Sequence, residues 1–179
     1  MPILIPFGDG GGGSGSFRSN GIADYNDSGT AVSPITLATD TWTTVPNNGA
    51  GPFTNLTYLP SGVTNLMNTA TGQFTFSELS LGDNVFVRND LTVNPLTNNA
   101  LFEVRYLLGA GANAYTLTST SIRLDSGSGK DYRFSLRPDM IYMGDVNTKD
   151  NPITLQVRLS AEGTLINNGS AIGVSGYGG

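Results

Sequence analysis

The chain contains no cysteine and no histidine. Without cysteine there are no disulfides, no thiolate metal sites and no cysteine nucleophiles. Without histidine, the usual serine, cysteine and metallo-hydrolase constellations lose their base or ligand. No G-x-S-x-G elbow is present either. Lysine is nearly missing, with Lys130 and Lys149 against seven arginines, and charged residues make up only 13% of the chain. A net charge of −5 and the lack of a basic cluster leave no track for a phosphate backbone, so nucleic acid is not an expected partner. No segment approaches the roughly 18–20 apolar residues of a membrane-spanning helix. The opening MPILIPFGDGGGG lacks the basic and continuous apolar parts of a secretory signal. No membrane partner is expected.

The remaining chemistry is thin. Glu78, Asp83, Glu103 and Asp125 are carboxylates of the kind glycoside hydrolysis uses, but none sits in a motif. Glu103 and Arg105 fall on one strand face and are expected to pair there. Gly127-Ser128-Gly129-Lys130 has the end of a phosphate-binding loop without its start, because Leu124 replaces the first glycine and Asp131 follows the lysine. Residues 144–151 (GDVNTKDN) offer hard oxygen ligands suited to calcium. The spacing is not that of an EF-hand and Lys149 lies within it, so a polar turn is expected. No catalytic residue, cofactor site or metal site is assigned, and an enzyme is not expected.

What is abundant is glycine, threonine, asparagine and serine, at 24, 20, 17 and 16 residues. Threonine favours strands and the others favour turns, which argues for a β-rich fold with an uncharged polar surface. Val85, Val87, Leu91 and Val93 share one parity. So do Phe102, Val104, Tyr106 and Leu108, then Tyr132, Phe134 and Leu136, then Ile153, Leu155, Val157 and Leu159. Period two with one apolar face means a sheet buried on one side, as in antiparallel sandwiches. The pattern predicts strands at 29–38, 42–45, 56–59, 73–76, 84–93, 100–108, 115–124, 131–137, 152–159, 163–167 and 170–175. Asn167-Asn168-Gly169 reads as a hairpin turn. Short helical turns fit at 62–68 or 76–81. The expected fold is all-β, an antiparallel two-sheet sandwich of jelly-roll type over residues 28–179, with Val85, Val87, Leu91, Val93, Phe102, Val104, Tyr106, Phe134, Leu136, Leu155 and Val157 in its core.

Residues 1–27 differ in composition. An apolar head, Pro2-Ile3-Leu4-Ile5-Pro6-Phe7, precedes a glycine-rich tether, and together they read as an extended N-terminal arm. The apolar head, with Phe17 and Arg18 beyond the tether, makes Ile3, Leu4, Ile5, Phe7, Phe17 and Arg18 the candidate attachment residues. Arg88, Arg105, Arg123, Arg133 and Arg158 fall opposite the apolar parity and Arg137 ends its strand on the same face, which reads as one arginine-bearing face. Scarce lysine beside frequent arginine suits a surface that meets other subunits. Trp42, Tyr58 and Tyr115 are the aromatics a glycan could stack on.

Three segments carry a resemblance: Leu56-Thr57-Tyr58-Leu59-Pro60-Ser61-Gly62-Val63, Phe74-Thr75-Phe76-Ser77-Glu78-Leu79-Ser80-Leu81-Gly82-Asp83, and Ile141-Tyr142-Met143-Gly144-Asp145 leading to Asp150-Asn151-Pro152. Over about residues 55–160 the chain resembles jelly-roll head-decoration (cement) or head-fibre proteins of tailed bacteriophages. The resemblance implies a tumour-necrosis-factor-like or C1q-like homotrimer on the capsid exterior, with the major capsid protein as partner and no catalytic residues. A capsid decoration protein is the first expectation. The alternative is a fibre or receptor-binding module that recognises a host glycan or surface protein.

Overall fold

Alternating sequence becomes strand wherever it runs uninterrupted, in a computed structural model that describes residues 20–125 and 128–176. The strands are β1 (Gly21–Tyr25), β2 (Ile35–Leu37), β3 (Thr43–Thr44), β4 (Asn55–Tyr58), β5 (Met67–Asn68), β6 (Gln73–Phe74), β7 (Asn84–Pro95), β8 (Ala100–Leu108), β9 (Tyr115–Leu124), β10 (Tyr132–Ser135), β11 (Asp139–Tyr142), β12 (Thr154–Leu159) and β13 (Gly163–Ser175). Helix among the described residues is confined to single turns, α1 (Gly29–Val32), α2 (Val146–Asp150) and a 3-10 turn at Gly111–Asn113.

The larger sheet runs β10-β7-β13-β1-β4, with β11 continuing along the outer edge of β7 and β2 lying beside the start of β13. The smaller sheet runs β3-β12-β8-β9. The β5-β6 hairpin joins it through reciprocal 2.9 Å backbone bonds between Phe74 and Ile153. Every pairing between named strands is antiparallel. The chain crosses between the two sheets after β2, β3, β7, β9, β11 and β12, as a jelly-roll sandwich requires.

The apolar parities meet between the sheets. Val85, Val87, Leu91 and Val93 from β7 face Phe102, Val104 and Tyr106 from β8 and Leu155 and Val157 from β12, all fully or nearly fully buried. Phe134 departs from expectation. It is only half-buried, because β10 and β9 are free edges of their sheets and a cleft opens between them, although its ring stacks on Phe102 at 5.7 Å.

One position breaks the parity of β7. Asn89 points inward and is wholly buried. Its Nδ2 donates to the Tyr106 hydroxyl at 2.6 Å and its Oδ1 accepts from Ser170 Oγ at 2.7 Å. A side chain from the smaller sheet is thereby tied to two strands of the larger one. Burial pushes the Tyr106 phenol well above its ordinary pKa, with the nearby Asp139 carboxylate adding to the shift, so the hydroxyl stays protonated.

Several expected elements are corrected. The sandwich begins before residue 28, since β1 pairs with five residues of β13 inside the sheet. The expected strand at 29–38 is α1 followed by β2. The Asp27 carboxylate accepts from both the Thr30 N–H and the Thr30 hydroxyl at 2.7 Å, which winds the chain into a turn. The segment at 62–68 is irregular chain that ends in β5, and 76–81 forms turns and bends; neither is helix. The stretch 139–142, not among the expected strands, is β11. The 144–151 turn contains α2.

Asn167-Asn168-Gly169 is not a hairpin but a bulge within the single strand β13, where the register against β7 steps from Asn167↔Leu91 to Gly169↔Asp90. Asn167 is buried and fully engaged. Its N–H donates to Thr30 Oγ1, its Nδ2 to the Pro46 carbonyl, and its Oδ1 accepts from the Gly169 N–H. Gly169 has φ +137°, and a Cβ there would lie 2.7 Å from the Tyr25 carbonyl oxygen. The residues that suit a primed turn serve here for positive φ and close approach instead.

Tyr106→Phe leaves the Asn89 amide unpaired in the core and should cost about 1–3 kcal/mol. Phe102→Ala should cost about 3–5 kcal/mol, and Phe134→Ala clearly less because its site is half-open. Urea unfolding of the three variants checks the order.

Candidate interaction surface

Of the expected attachment residues, Ile3, Leu4, Ile5, Phe7, Phe17 and Arg18 lie outside the described residues. The described surface that stands out is the outer face of the larger sheet. Strand register builds it. Met140 on β11 pairs with Phe86 on β7, Phe86 with Gly173 on β13, Gly173 with Ile22 on β1, and Ile22 with Tyr58 on β4. Directly paired residues share a face, so these five form one row across five strands. Met140, Phe86, Ile22 and Tyr58 are 57, 40, 48 and 64% exposed. A Cβ on Gly173 would touch only Phe86, so the row dips at its centre.

The next row on the same face is polar. Arg88 pairs with Ala171 and Ala171 with Asp24. Arg88 forms a 3.1 Å ion pair with Asp90, which also accepts from Ser135 Oγ. Asp24 makes no side-chain hydrogen bond or ion pair among the described residues. Arg88, Asp24, Asp90, Asn26, Asn168 and the 78%-exposed Phe53 line a cleft of about 280 Å³.

The single arginine-bearing face is not found. Arg88 on β7 and Arg133 on β10 belong to the larger sheet, while Arg105, Arg123 and Arg158 belong to the smaller one, on the opposite side of the sandwich. Outward parity is the same on both sheets, but outward points in opposite directions. Glu103 does not pair with Arg105. It accepts from Arg158 Nε at 2.8 Å across the β8–β12 register, while Arg105 Nε donates to Gln156.

The three candidate stacking aromatics are all engaged or displaced from loop tips. Arg105 lies 3.8 Å and Arg158 5.1 Å from the Trp42 ring centre. Tyr58 sits in the apolar row. The Tyr115 hydroxyl shares a 2.8 Å hydrogen bond with Thr148 in α2. Arg137 lines the cleft of about 380 Å³ between the free edges of β9 and β10, with Ile122 and Phe134.

The oxygen-rich segment 144–151 is spent on local structure. Asp145 caps α2, accepting from the Thr148 N–H at 2.8 Å and hydroxyl at 3.0 Å. Lys149 pairs with Asp150 and donates to the Ser77 carbonyl. Among the described residues no three His, Cys, Asp or Glu side chains gather as a metal site.

Sequence reasoning misses the apolar row for a definite reason. Ile22 falls within the compositional arm, and Met140 in a stretch without an alternating pattern. Phe86 does leave a signal: Val85-Phe86-Val87 is apolar on both parities, which marks a strand with an apolar residue on its wet face.

No protein-family model and no curated protein matches the chain. Among solved structures it is similar to that of infectious bursal disease virus, Gt strain, with TM-score 0.43 and 12% identity over 90% of this chain and 34% of the viral chain. The Gx strain gives TM-score 0.39 and 10% identity over 90% and 31%. The VP2 subviral particle of the same virus gives 0.33 and 13% over 82% and 32%. The chain spans about a third of the length of each of these viral chains.

Two surface carboxylates carry a pH signature. Bonds from the Thr148 N–H and hydroxyl hold Asp145 below its ordinary pKa, and bonds from the Thr64 N–H and hydroxyl do the same for Glu78. A carboxylate with a lowered folded pKa stabilises above its unfolded value and loses that contribution as pH falls through the folded value. Asp145→Ala and Glu78→Ala should therefore lower Tm at neutral pH, and the gap to wild type should close in acid. Thermal unfolding across a pH series checks this.

Proposed function

We propose that this chain is a virion structural protein that decorates and stabilises the exterior of a bacteriophage capsid as a homo-oligomer, attached to the major capsid protein through its N-terminal segment. The observation that carries the reading is the exposed apolar row across five strands of the larger sheet. An exposed apolar row of this kind suits protein contact. The motif resemblance over residues 55–160 points the same way. The uncharged apolar head at Ile3–Phe7 has the composition of an anchor, and several such anchors on one oligomer would add through effective concentration.

One feature favours the alternative, a fibre or receptor-binding module. The cleft beside Phe53 combines an exposed aromatic ring with Asp24, Asp90, Asn26 and Asn168, a set that suits a sugar. Glycan binding abolished by Phe53→Ala would support that module.

The test of decoration is direct. Mass spectrometry of purified virions should find the chain, and electron microscopy should place it on the outer shell. Deleting residues 1–16 should leave a folded sandwich that no longer occupies capsids or protects them from heat. Wild-type occupancy by the truncated chain would move attachment onto the sandwich itself.

A further inference from the structure

The outer face of the larger sheet is complementary to itself. We propose that it is a two-fold interface at which a second copy of this chain packs, sheet face against sheet face, about an axis running along β13. The proposal deepens the homo-oligomer part of the proposed function and rests on that part alone.

The argument starts from register. β13 is the middle strand of both rows, with Gly173 in the apolar row and Ala171 in the polar one. A two-fold axis along β13, lying between two stacked faces, exchanges the β7 side of one copy with the β1 side of the other. Phe86 then faces Ile22 of the second copy, and Met140 faces its Tyr58. Apolar meets apolar at every position of the row. In the polar row the same operation sets Arg88 against Asp24 of the second copy, and Asp24 against its Arg88. Opposite charges meet twice, and Asp24 gains the partner it does not find among the described residues of its own chain.

The centre of the face fits the same geometry. Gly173 and Ala171 lie on the axis and are small, so the two β13 strands can approach while the larger side chains on either side interdigitate. Five strands at about 4.8 Å spacing and the five residues of β1 at about 3.4 Å give roughly 24 by 17 Å, or about 800 Å² over both copies, the size of a weak, concentration-dependent contact. The symmetry is two-fold, so this contact either replaces the three-fold implied by the motif resemblance or adds to it.

The test uses purified full-length protein in solution, so its outcome is independent of whether the chain binds capsids. Size-exclusion chromatography with light scattering should show wild-type self-association. Arg88→Asp and Asp24→Arg, each alone, set like charges face to face twice and should weaken association by about tenfold or more. In an equimolar mixture of the two variants, a carboxylate of the first faces a guanidinium of the second at both contacts. The mixture should therefore associate again as a heterodimer. If either charge variant does not fold, Phe86→Lys and Ile22→Asp form a second complementary pair with the same expectation: weak alone, restored when mixed. A monomeric wild-type protein at high concentration overturns the proposal, as does failure of folded pairs to recover on mixing. If only the chain lacking residues 1–16 associates, the N-terminal segment covers this face in the intact chain, and the proposal likewise falls.

Discussion

The pairing of β7 with β13 is the constraint on which the rest of the molecule depends. The two strands run antiparallel through twelve register pairs, and every other strand of the larger sheet attaches to this ribbon directly or through β1. Because side chains alternate with period two, that one register decides both faces at once. It sends Val85, Val87, Leu91 and Val93 inward against the smaller sheet, and it sets Phe86 and Arg88 outward beside Gly173 and Ala171. A one-residue slip would empty the core and bury Arg88 in the same step.

The ribbon is also where the fold places its polar exceptions. Asn89 interrupts the apolar side of β7, and Asn167 interrupts that of β13 at the bulge. Each is buried with its hydrogen bonds satisfied. Asn89 bonds Tyr106 and Ser170, while Asn167 bonds Thr30, Pro46 and Gly169. Such groups cost more when unpaired than they contribute when paired, so they penalise alternative packings more than they stabilise the native one. They hold the β8 and α1 regions to a single position on the ribbon.

The long strands β7, β8 and β12 are legible in the sequence because their burial is one-sided, and with the more exposed β9 they match their expected ranges closely. The short elements are not, because tertiary contacts decide them. β1 follows a glycine-rich run, and only its pairing with β13 and β4 makes it strand. β11 is four residues long after Pro138 and is strand only because the edge of β7 is open to it. Asn167-Asn168-Gly169 has the composition of a turn, yet the same preference for positive φ serves a bulge. The outward rows require knowing which strands are neighbours, which alternation alone does not reveal. For the same reason, arginines of equal parity lie on opposite sides of the sandwich.

The partnership of β1 with β13 has a consequence for how the chain reaches this state. Gly21 pairs with Val174, about 150 residues away. On the ribosome, β1 and β7 emerge well before the strand that joins them, and both wait with unpaired edges until residue 175 is free. Closing so long a loop costs entropy before any contact offsets it, which places this topology among the slower-folding β proteins. Until then the exposed edges and the uncovered Val-rich face of β7 are open to intermolecular pairing. The yield of native protein should therefore depend on synthesis rate and temperature more steeply than the stability of the finished sandwich would suggest.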